Sequence, residues 1–172
     1  NLPIVAVGRP EFDLEKPATI ERALQSIEPS TIINAAAYTA VDQAEAEPER
    51  AHIINCDGAM NLAVAAASRG IPFVHISSDY VFDGRNSTPY RESDTPAPLS
   101  AYGRSKLAGE VAVRQAYPQA VVIRTSWVYS AYGHNFVKTM IRLAATRPSL
   151  RVVADQHGSP TSAADLAGAI LD

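Results

Sequence analysis

A doubly wound α/β fold built on a mostly parallel sheet is predicted for this chain of 172 residues by three features of its sequence. Short runs rich in apolar and β-branched residues alternate with longer segments of helical periodicity over the whole length. Polar side chains follow several of the apolar runs, at the end where open α/β sheets hold their sites. Hydrophobic residues make up 47% of the chain and charged residues 19%, so one domain with a sizeable core is expected rather than disorder.

Each predicted element rests on its own pattern. Five short apolar runs bounded by Gly, Pro or polar residues are predicted to be strands, at residues 2–7, 31–36, 71–76, 121–124 and 150–153. Apolar residues at helical spacing predict five helices, at residues 17–27, 48–68, 102–115 and 135–146, and from the cap Ser162 to residue 172. Proline is tolerated in a helix first turn, which suits Pro17 and Pro48, and Gly70 is placed just beyond the second helix. The long irregular loop at residues 82–99 is expected to be functional.

The strongest chemical signal lies between the end of the third predicted strand and the helix that starts near Tyr102. Ser77, Ser78 and Asp79 follow that strand directly, and Tyr102 and Lys106 are one helical turn apart on one face. A nearby ammonium favours the tyrosinate and lowers the pKa of the phenol, so Tyr102 could exchange a proton near neutral pH. Ser78 could donate a hydrogen bond to the same substrate oxygen, which suits the interconversion of a carbonyl and an alcohol. A Tyr-x-x-x-Lys pair alone is common on exposed helices, so this prediction depends on the polar strand end upstream.

A family resemblance rests on five stretches of the sequence. Residues 77–84 read SSDYVFDG, residues 102–110 read YGRSKLAGE, and residues 34–42, 124–129 and 155–161 read NAAAYTAVD, RTSWVY and DQHGSPT. With these stretches the chain resembles the extended short-chain dehydrogenase/reductase superfamily, and within it the dTDP-4-dehydrorhamnose reductases, over nearly its whole length. The resemblance implies a Rossmann-like fold and reduction of the C4 ketone of dTDP-4-dehydro-L-rhamnose to dTDP-L-rhamnose, with hydride from NADPH or NADH.

The resemblance also implies a role for individual residues. Catalysis would fall to Tyr102 as proton donor, to Lys106, which would lower the pKa of Tyr102 and hold the cofactor ribose, and to Ser78, which would polarise the carbonyl. The cofactor-binding set is Asp13, Leu14, Asn34, Ala35, Ala36, Ala37, Ser77, Tyr102 and Lys106, with Asp13 and Leu14 beside adenine. The substrate-binding set is Val41, Asp42, Ser78, Asp79, Tyr80 and Trp127.

Several of these assignments have a simpler structural alternative. Asp13 could be only the cap or Asx residue of a turn, and the alanines could serve only tight strand packing. Trp127 could belong to the core, because a single Trp after a buried strand usually packs there. Asn55 resembles the helical Asn that lies near the active site in this superfamily, and an exposed helix residue is the alternative.

One expected motif is missing. A dinucleotide-binding domain holds the pyrophosphate on a glycine-rich turn after its first strand, and none of the nine glycines here forms such a turn. We therefore expect residues 1–172 to be a partial NAD(P)-binding domain that lacks an N-terminal βα unit and a C-terminal part, with the start of a substrate-binding region near its end. In the strand order 3-2-1-4-5-6 the absent strand would lie between residues 2–7 and 31–36, so a gap or another chain is expected there.

Composition excludes other classes of function. A net charge of −3 gives no reason to expect nucleic acid or an anionic membrane as partner. No apolar run approaches 18 residues and no signal-peptide pattern is present, so a cytoplasmic location is expected. The oligomeric state is left open, with a homodimer as one option. Cys56 is expected to be a buried structural thiol and His75 a core residue. No metal site is expected, because His52, His134 and His157 lack metal-ligand spacing with any carboxylate or cysteine.

Two other functions remain as alternatives at this stage. The first is a 4,6-dehydratase or 4-epimerase of the same superfamily. The dehydratases need an Asp-Glu pair after the strand-end hydroxyl, and here Asp79 is followed by Tyr80, which argues against elimination. The second is a non-catalytic protein similar to the regulatory subunit of methionine adenosyltransferase, which shares the SSDYVFDG and Tyr-x-x-x-Lys motifs. Residues 39–42 and 124–127 favour the enzyme.

Overall fold

A three-stranded sheet covered by helices forms the first of two units in the computed structural model, which describes residues 3–172. The first unit ends at Arg124, and the second comprises Thr125–Asp172. The elements of the first unit are α1 (Pro17–Ile27), β1 (Ile32–Asn34), α2 (Val41–Ala46), α3 (Pro48–His52), a π-helical segment (Ile53–Gly58), α4 (Ala59–Ala67), β2 (Phe73–Ser78), a 3₁₀ turn (Asp79–Val81), α5 (Ala101–Ala116) and β3 (Val121–Thr125).

The sheet places β2 in the centre, with β1 on one side and β3 on the other. β1 and β2 are parallel, with Ile32 opposite Phe73 and Asn34 opposite His75. The predicted α/β fold with parallel strands is therefore confirmed. Because β2 is the central strand, its end at Ser78 lies between two neighbours, where side chains from several elements can meet.

The core of the first unit lies between the sheet and the helices α1, α4 and α5. Its most buried members are Ile20, Ala59, Leu62, Ala63, Ala66, Phe73 and Val113. Burying a Leu, Ile or Phe side chain contributes roughly 1.5–3 kcal/mol, so this cluster is the main source of stability of the unit. Ile20 and Leu24 of α1 face it, as their helical spacing predicts. A smaller cluster joins Ala44, Ala51, Ala101 and Tyr102, and it lies under the candidate site.

The predicted helix at residues 48–68 forms, but not as one regular α-helix. A π-helical segment, Ile53–Gly58, interrupts it between α3 and α4. α5 packs closely against this segment at Gly109, where an added Cβ would overlap the carbonyl oxygen of Asn55. The helix ends near Gly70, which adopts a positive φ of 63°, as predicted for a residue just beyond a helix C-terminus.

The second unit contains β4 (Val128–Tyr129), α6 (Phe136–Ala144), β5 (Thr161–Ser162) and α7 (Ala163–Leu171). β4 and β5 are parallel, with Val128 opposite Thr161. Ser162 caps α7 by accepting a hydrogen bond from the Asp165 backbone N–H at 3.4 Å, which confirms the predicted cap. None of the helices within residues 3–172 is long and apolar enough to cross a bilayer.

Two predicted strands are wrong for the part that the structure describes. Residues 3–7 and 150–153 adopt no strand, and all of them except the half-buried Leu150 are exposed, with Ile4 at 75% and Val153 at 69%. A strand requires ladder hydrogen bonds to a neighbour, and none of the described strands pairs with either run. Leu2, the first residue of that prediction, lies outside the described residues. β1 is accordingly an edge strand of the described sheet, and residues 3–7 do not extend it.

Candidate active site

Ser78, Tyr102 and Lys106 come from the two elements that meet at the centre of the sheet. Ser78 is the last residue of β2, and Tyr102 and Lys106 lie in the first two turns of α5. The Ser100 side chain caps α5 by accepting from the Gly103 backbone N–H at 3.0 Å. Tyr102 is 9% exposed, Lys106 2% and Ser78 6%, so the predicted face of the helix is turned inward.

A close backbone contact fixes α5 against the residues that follow β2. A Cβ on Gly103 would overlap the carbonyl oxygen of Tyr80, so only glycine permits this approach. The rings of Tyr80 and Tyr102 meet edge to face, with centroids 5.5 Å apart. The contact therefore sets the position of the Tyr102 phenol relative to the end of β2.

Burial determines the protonation state of Tyr102. Burial raises the pKa of this phenol above 10.0, the Ser78 hydroxyl lowers it, and Asp79 and Tyr80 raise it further. The net shift is opposite to the predicted lowering, because burial has the largest effect on this pKa and Lys106 is not among the groups that shift it. Tyr102 is accordingly a neutral phenol at neutral pH.

Lys106 directs its ammonium at the backbone of β2. Its Nζ donates a hydrogen bond to the Ile76 carbonyl oxygen at 2.7 Å. Burial lowers the pKa of Lys106 to about 8, against the opposing effect of the Glu110 carboxylate. An ammonium has three donors, so two remain after the bond to Ile76.

The Ser78 hydroxyl belongs to a small network at the strand end. Its Oγ donates to Asp79 Oδ1 at 3.1 Å and accepts from the Tyr80 backbone N–H at 3.2 Å. Burial raises the pKa of Asp79, and burial also raises that of Tyr80. The three residues predicted to bind substrate at this end, Ser78, Asp79 and Tyr80, therefore lie together.

The neighbouring strand end, at β1, carries a buried pair of polar side chains. Asn34 Nδ2 lies 3.1 Å from His75 Nδ1, and Asn34 Oδ1 accepts from the Ala36 backbone N–H at 3.2 Å. An amide nitrogen can only donate, so His75 Nδ1 accepts and its Nε2 carries the proton. His75 is fully buried, as predicted, and burial lowers its pKa to about 4. Its Nε2 has no hydrogen-bond partner in the described chain.

Asn55 connects this region to α5. Its Oδ1 accepts from the Tyr38 backbone N–H at 2.8 Å, and its Nδ2 donates to the Tyr38 carbonyl at 3.0 Å and to Ser105 Oγ at 2.9 Å. The side chain is 1% exposed, so the alternative of an exposed helix residue is excluded. Asn55 therefore holds the segment after β1 against the helix that carries Tyr102.

The residues predicted to bind cofactor occupy several different environments. Ala35 and Ala36 are exposed and Ala37 is half-buried, directly after β1. Asp13 closes a turn, with Oδ1 accepting from the Glu15 backbone N–H at 3.1 Å. Leu14 lies in the core and Ser77 is buried in β2. Their assignment to the cofactor stays a prediction.

The remaining substrate-binding predictions lie on α2 and in the second unit. Val41 is half-buried and packs against the cluster that contains Tyr102, whereas Asp42 is exposed. Trp127 is 46% exposed, with a positive φ of 46°, and its ring lies against Gly158 of the same unit. The alternative of a fully buried core Trp is therefore not observed.

An ion pair between α5 and β3 was not identified by sequence reasoning. Arg124 donates to both oxygens of Glu110, from Nε at 2.9 Å and from Nη2 at 2.7 Å. Its guanidinium also lies over the Phe82 ring, 4.9 Å from the centroid, and Phe82 stacks on Tyr90. The pair ties α5 to the loop that follows Ser78. Both ionic residues stand inside the quoted motifs, but a motif does not reveal which of its charges will pair.

The expectation that His52 lacks a suitable neighbour is also wrong. His52, Cys56 and Asp57 each offer a ligand atom, and the three atoms lie within 4.8 Å of one another. Cys56 is a free, buried thiol, as predicted. The π-helical segment brings these residues together, and it has no signature in the spacing of apolar residues.

Comparison with known proteins gives consistent matches. The model of the RmlD substrate binding domain family matches residues 1–172. The chain is 52% identical to the dTDP-4-dehydrorhamnose reductase of Sinorhizobium fredii over 99% of this chain and 58% of that protein. It is 45% identical to the Salmonella typhimurium protein of the same name, over 97% of this chain and 56% of the relative.

A solved structure also matches closely. The crystal structure of dTDP-4-dehydrorhamnose reductase from Bacillus anthracis in complex with NADP aligns with a TM-score of 0.88 and 48% identity, over 94% of this chain and 57% of that one. The chain thus spans about half the length of the curated relatives and of the solved structure that it matches, at 58%, 56% and 57%.

Proposed function

This chain belongs to the RmlD substrate binding domain family, and we propose that the protein reduces the C4 ketone of dTDP-4-dehydro-L-rhamnose to dTDP-L-rhamnose with NADPH or NADH. Relatives at 45% and 52% identity carry the name of that reductase, and a similar solved structure holds NADP. Because this reaction consumes a reduced nicotinamide and a nucleotide sugar, we place it in the cytoplasm.

The observation that carries the proposal is the buried, neutral Tyr102 beside Ser78 at the end of the central strand. When a hydride adds to C4, the electrons of the C=O double bond move to the oxygen, which then needs a proton. The Tyr102 phenol supplies that proton, and the Ser78 hydroxyl, on turning away from Asp79 Oδ1, donates its one hydrogen to the same oxygen. A positioned proton donor of this kind typically contributes about 10²–10⁴-fold in rate.

The residues of this chain fit a nicotinamide cofactor at the ends of β1 and β2. Ala35 and Ala36 are small and exposed, so a flat ring and its ribose can approach the backbone there. Lys106 keeps two donors after its bond to the Ile76 carbonyl, enough to bind ribose hydroxyls next to Tyr102. A bound NAD(P)H would supply the hydride.

The substrate side of the site is proposed to lie at Asp79, Tyr80, Val41 and Asp42 of the first unit. Asp79 and Tyr80 are half-buried and adjoin Ser78 directly, so they can contact the sugar around C4. Tyr80 stands where a dehydratase would need a glutamate. We therefore favour ketone reduction over elimination of water.

The test is a reductase assay of the full-length protein with dTDP-4-dehydro-L-rhamnose and each reduced nicotinamide. We expect oxidation of the nicotinamide together with formation of dTDP-L-rhamnose, identified by nuclear magnetic resonance. Incubation of dTDP-glucose with the oxidised cofactor should give no 4-keto-6-deoxy product. Formation of that product, without reduction of the ketone, would contradict the proposal in favour of a dehydratase. Failure to turn over either substrate would favour a non-catalytic role.

A further inference from the structure

The π-helical segment places three metal-ligand side chains on one face of the helix. In a regular α-helix with 3.6 residues per turn, residues i and i+5 point about 140° apart. In a π-helix, whose hydrogen bonds run from i to i+5, the same two positions stack on each other. His52 precedes the segment and Asp57 lies within it at i+5, with Cys56 at i+4. The extra residue per turn is therefore what brings the imidazole and the carboxylate to the same face as the thiol.

The distances between the donor atoms are close to those of a metal site. His52 Nε2 and Asp57 Oδ1 lie 3.7 Å apart. The sulfur of Cys56 completes a triangle in which all separations are within 4.8 Å. Tetrahedral zinc has bonds of about 2.0–2.3 Å, which put its ligands about 3.3–3.8 Å apart. Small side-chain rotations would bring the three donors to these separations.

We propose that His52, Cys56 and Asp57 form a binding site for a divalent transition-metal cation of the zinc class, with water as the fourth ligand. An imidazole, a thiolate and a carboxylate together suit zinc, whereas Mg²⁺ and Ca²⁺ take oxygen ligands. The side chains of His52 and Asp57 are 51% and 50% exposed, so an ion can reach them from solvent. Cys56 is buried beneath them and provides the inner ligand.

The position of the site links it to the region around Tyr102. Asn55, next to Cys56 in the same segment, points inward and holds Tyr38 and Ser105. A cation on the outward face would cross-link α3 to the π-helical segment and so hold the backbone that carries Asn55. An ion that binds only the folded state also raises its stability, by an amount that grows with ion concentration.

The experiment uses Co²⁺ as a spectroscopic probe in the full chain, followed by competition with Zn²⁺. We expect a thiolate-to-cobalt charge-transfer band and tetrahedral ligand-field bands that Zn²⁺ removes and Mg²⁺ does not. Cys56→Ser should abolish the charge-transfer band. His52→Gln and Asp57→Asn should each weaken Zn²⁺ binding at least about tenfold, since loss of even an outer-shell partner costs that much.

A matched control separates this site from general histidine binding. His134→Gln removes an exposed histidine of the second unit and should leave the Zn²⁺ dissociation constant unchanged. Zn²⁺ should raise the melting temperature of the wild type and of His134→Gln, but not that of Cys56→Ser. Absence of the charge-transfer band in the folded wild type, or equal Zn²⁺ affinity in wild type, Cys56→Ser and Asp57→Asn, would overturn the proposal. None of these measurements depends on the proposed reductase activity.

Discussion

For Tyr102 and Lys106, the spacing in the sequence predicts the relative position of the two side chains but not their environment. Their i, i+4 spacing correctly predicts that both lie on one face of α5. It does not predict how deeply that face is buried, and burial decides the pKa of both groups. The phenol is pushed toward its neutral form and the ammonium is bound to the Ile76 carbonyl. This arrangement favours the neutral phenol over the tyrosinate, as the proposed role of Tyr102 as a proton donor requires.

The first prediction concerns the phenol itself. Tyr102→Phe removes the proton donor but keeps the ring that packs edge to face on Tyr80. We expect kcat for ketone reduction to fall by about 10²–10⁴-fold. The melting temperature should change little, because the substituted oxygen is not part of the hydrophobic core. Steady-state kinetics and thermal unfolding of the same preparation measure both quantities.

Tyr117→Phe is the matched control for this variant. Tyr117 is the C-cap residue of α5, so it lies about 22 Å along the helix from Tyr102 at a rise of about 1.5 Å per residue. Its substitution should leave kcat at the wild-type value. A Tyr102→Phe variant with wild-type turnover would remove Tyr102 from the proposed mechanism.

At the scale of elements, helix capping and apolar periodicity predict most helices to within two residues. α5 begins one residue before the predicted start and ends one residue after the predicted end, and Ser162 caps α7. The π-helical segment could not be predicted, because one extra residue per turn leaves the apolar pattern of residues 48–68 nearly unchanged. Its consequences are the inward Asn55, which the family resemblance had indicated, and the outward cluster of His52, Cys56 and Asp57, which sequence reasoning missed.

The second prediction tests the packing of α5 against that segment with a pair of glycine substitutions. Ala is a better helix former than Gly by about 1 kcal/mol, so Gly→Ala in an open helix position stabilises. Gly168 of α7 has nothing within 4 Å of an added Cβ, so Gly168→Ala should raise the free energy of unfolding of its unit. At Gly109 the added Cβ would overlap the Asn55 carbonyl oxygen, so Gly109→Ala should destabilise despite its higher helix propensity.

Urea unfolding followed by circular dichroism compares the two variants with the wild type. Opposite signs of the change in unfolding free energy are expected. A stabilising Gly109→Ala would mean that α5 does not approach Asn55 as closely as the structure places it. Gly109→Ala should also lower kcat, because a displaced α5 moves Tyr102 away from Ser78.

For the whole molecule, the sequence could predict the alternation of strands and helices and the strand that bears the site. Residues 31–36, 71–76 and 121–124 all contain strands, joined in one sheet with the second in the centre. Residues 3–7 and 150–153 have the same local composition, yet form none. Apolar β-branched residues favour a strand only where a neighbour supplies hydrogen bonds, and the presence of that neighbour is a tertiary property. The two-residue strands β4 and β5 were missed for the converse reason, since pairing creates them with little local signal.

The last prediction concerns the pH dependence of stability, a property of the whole fold that depends on His75. The free imidazole has a pKa near 6.5, and burial lowers that of His75 to about 4. Between these values the unfolded chain binds more protons than the folded one, so the free energy of unfolding should fall as the pH falls through this window. At about 1.4 kcal/mol per pKa unit the loss is at most about 3.5 kcal/mol. Asp79, whose pKa burial raises, acts in the opposite direction, so the comparison is made between variants.

His75→Gln keeps a hydrogen-bond acceptor for Asn34 but removes the titrating imidazole. The free energy of unfolding of this variant should therefore fall less steeply than that of the wild type between pH 6.5 and 4.5. Urea unfolding at a series of pH values measures this difference. The measurements stay above pH 4.5 so that protonation of Glu110 contributes little to the change in stability. The pKa of Glu110 is lowered from 4.5, so its ion pair with Arg124 is lost only at lower pH. His134→Gln removes an exposed histidine and controls for the loss of one imidazole. If His75→Gln and the wild type lose stability in parallel, His75 would have to be charged or solvated in the folded protein. The buried hydrogen bond between Asn34 at the end of β1 and His75 in the middle of β2 would then not form as the structure has it.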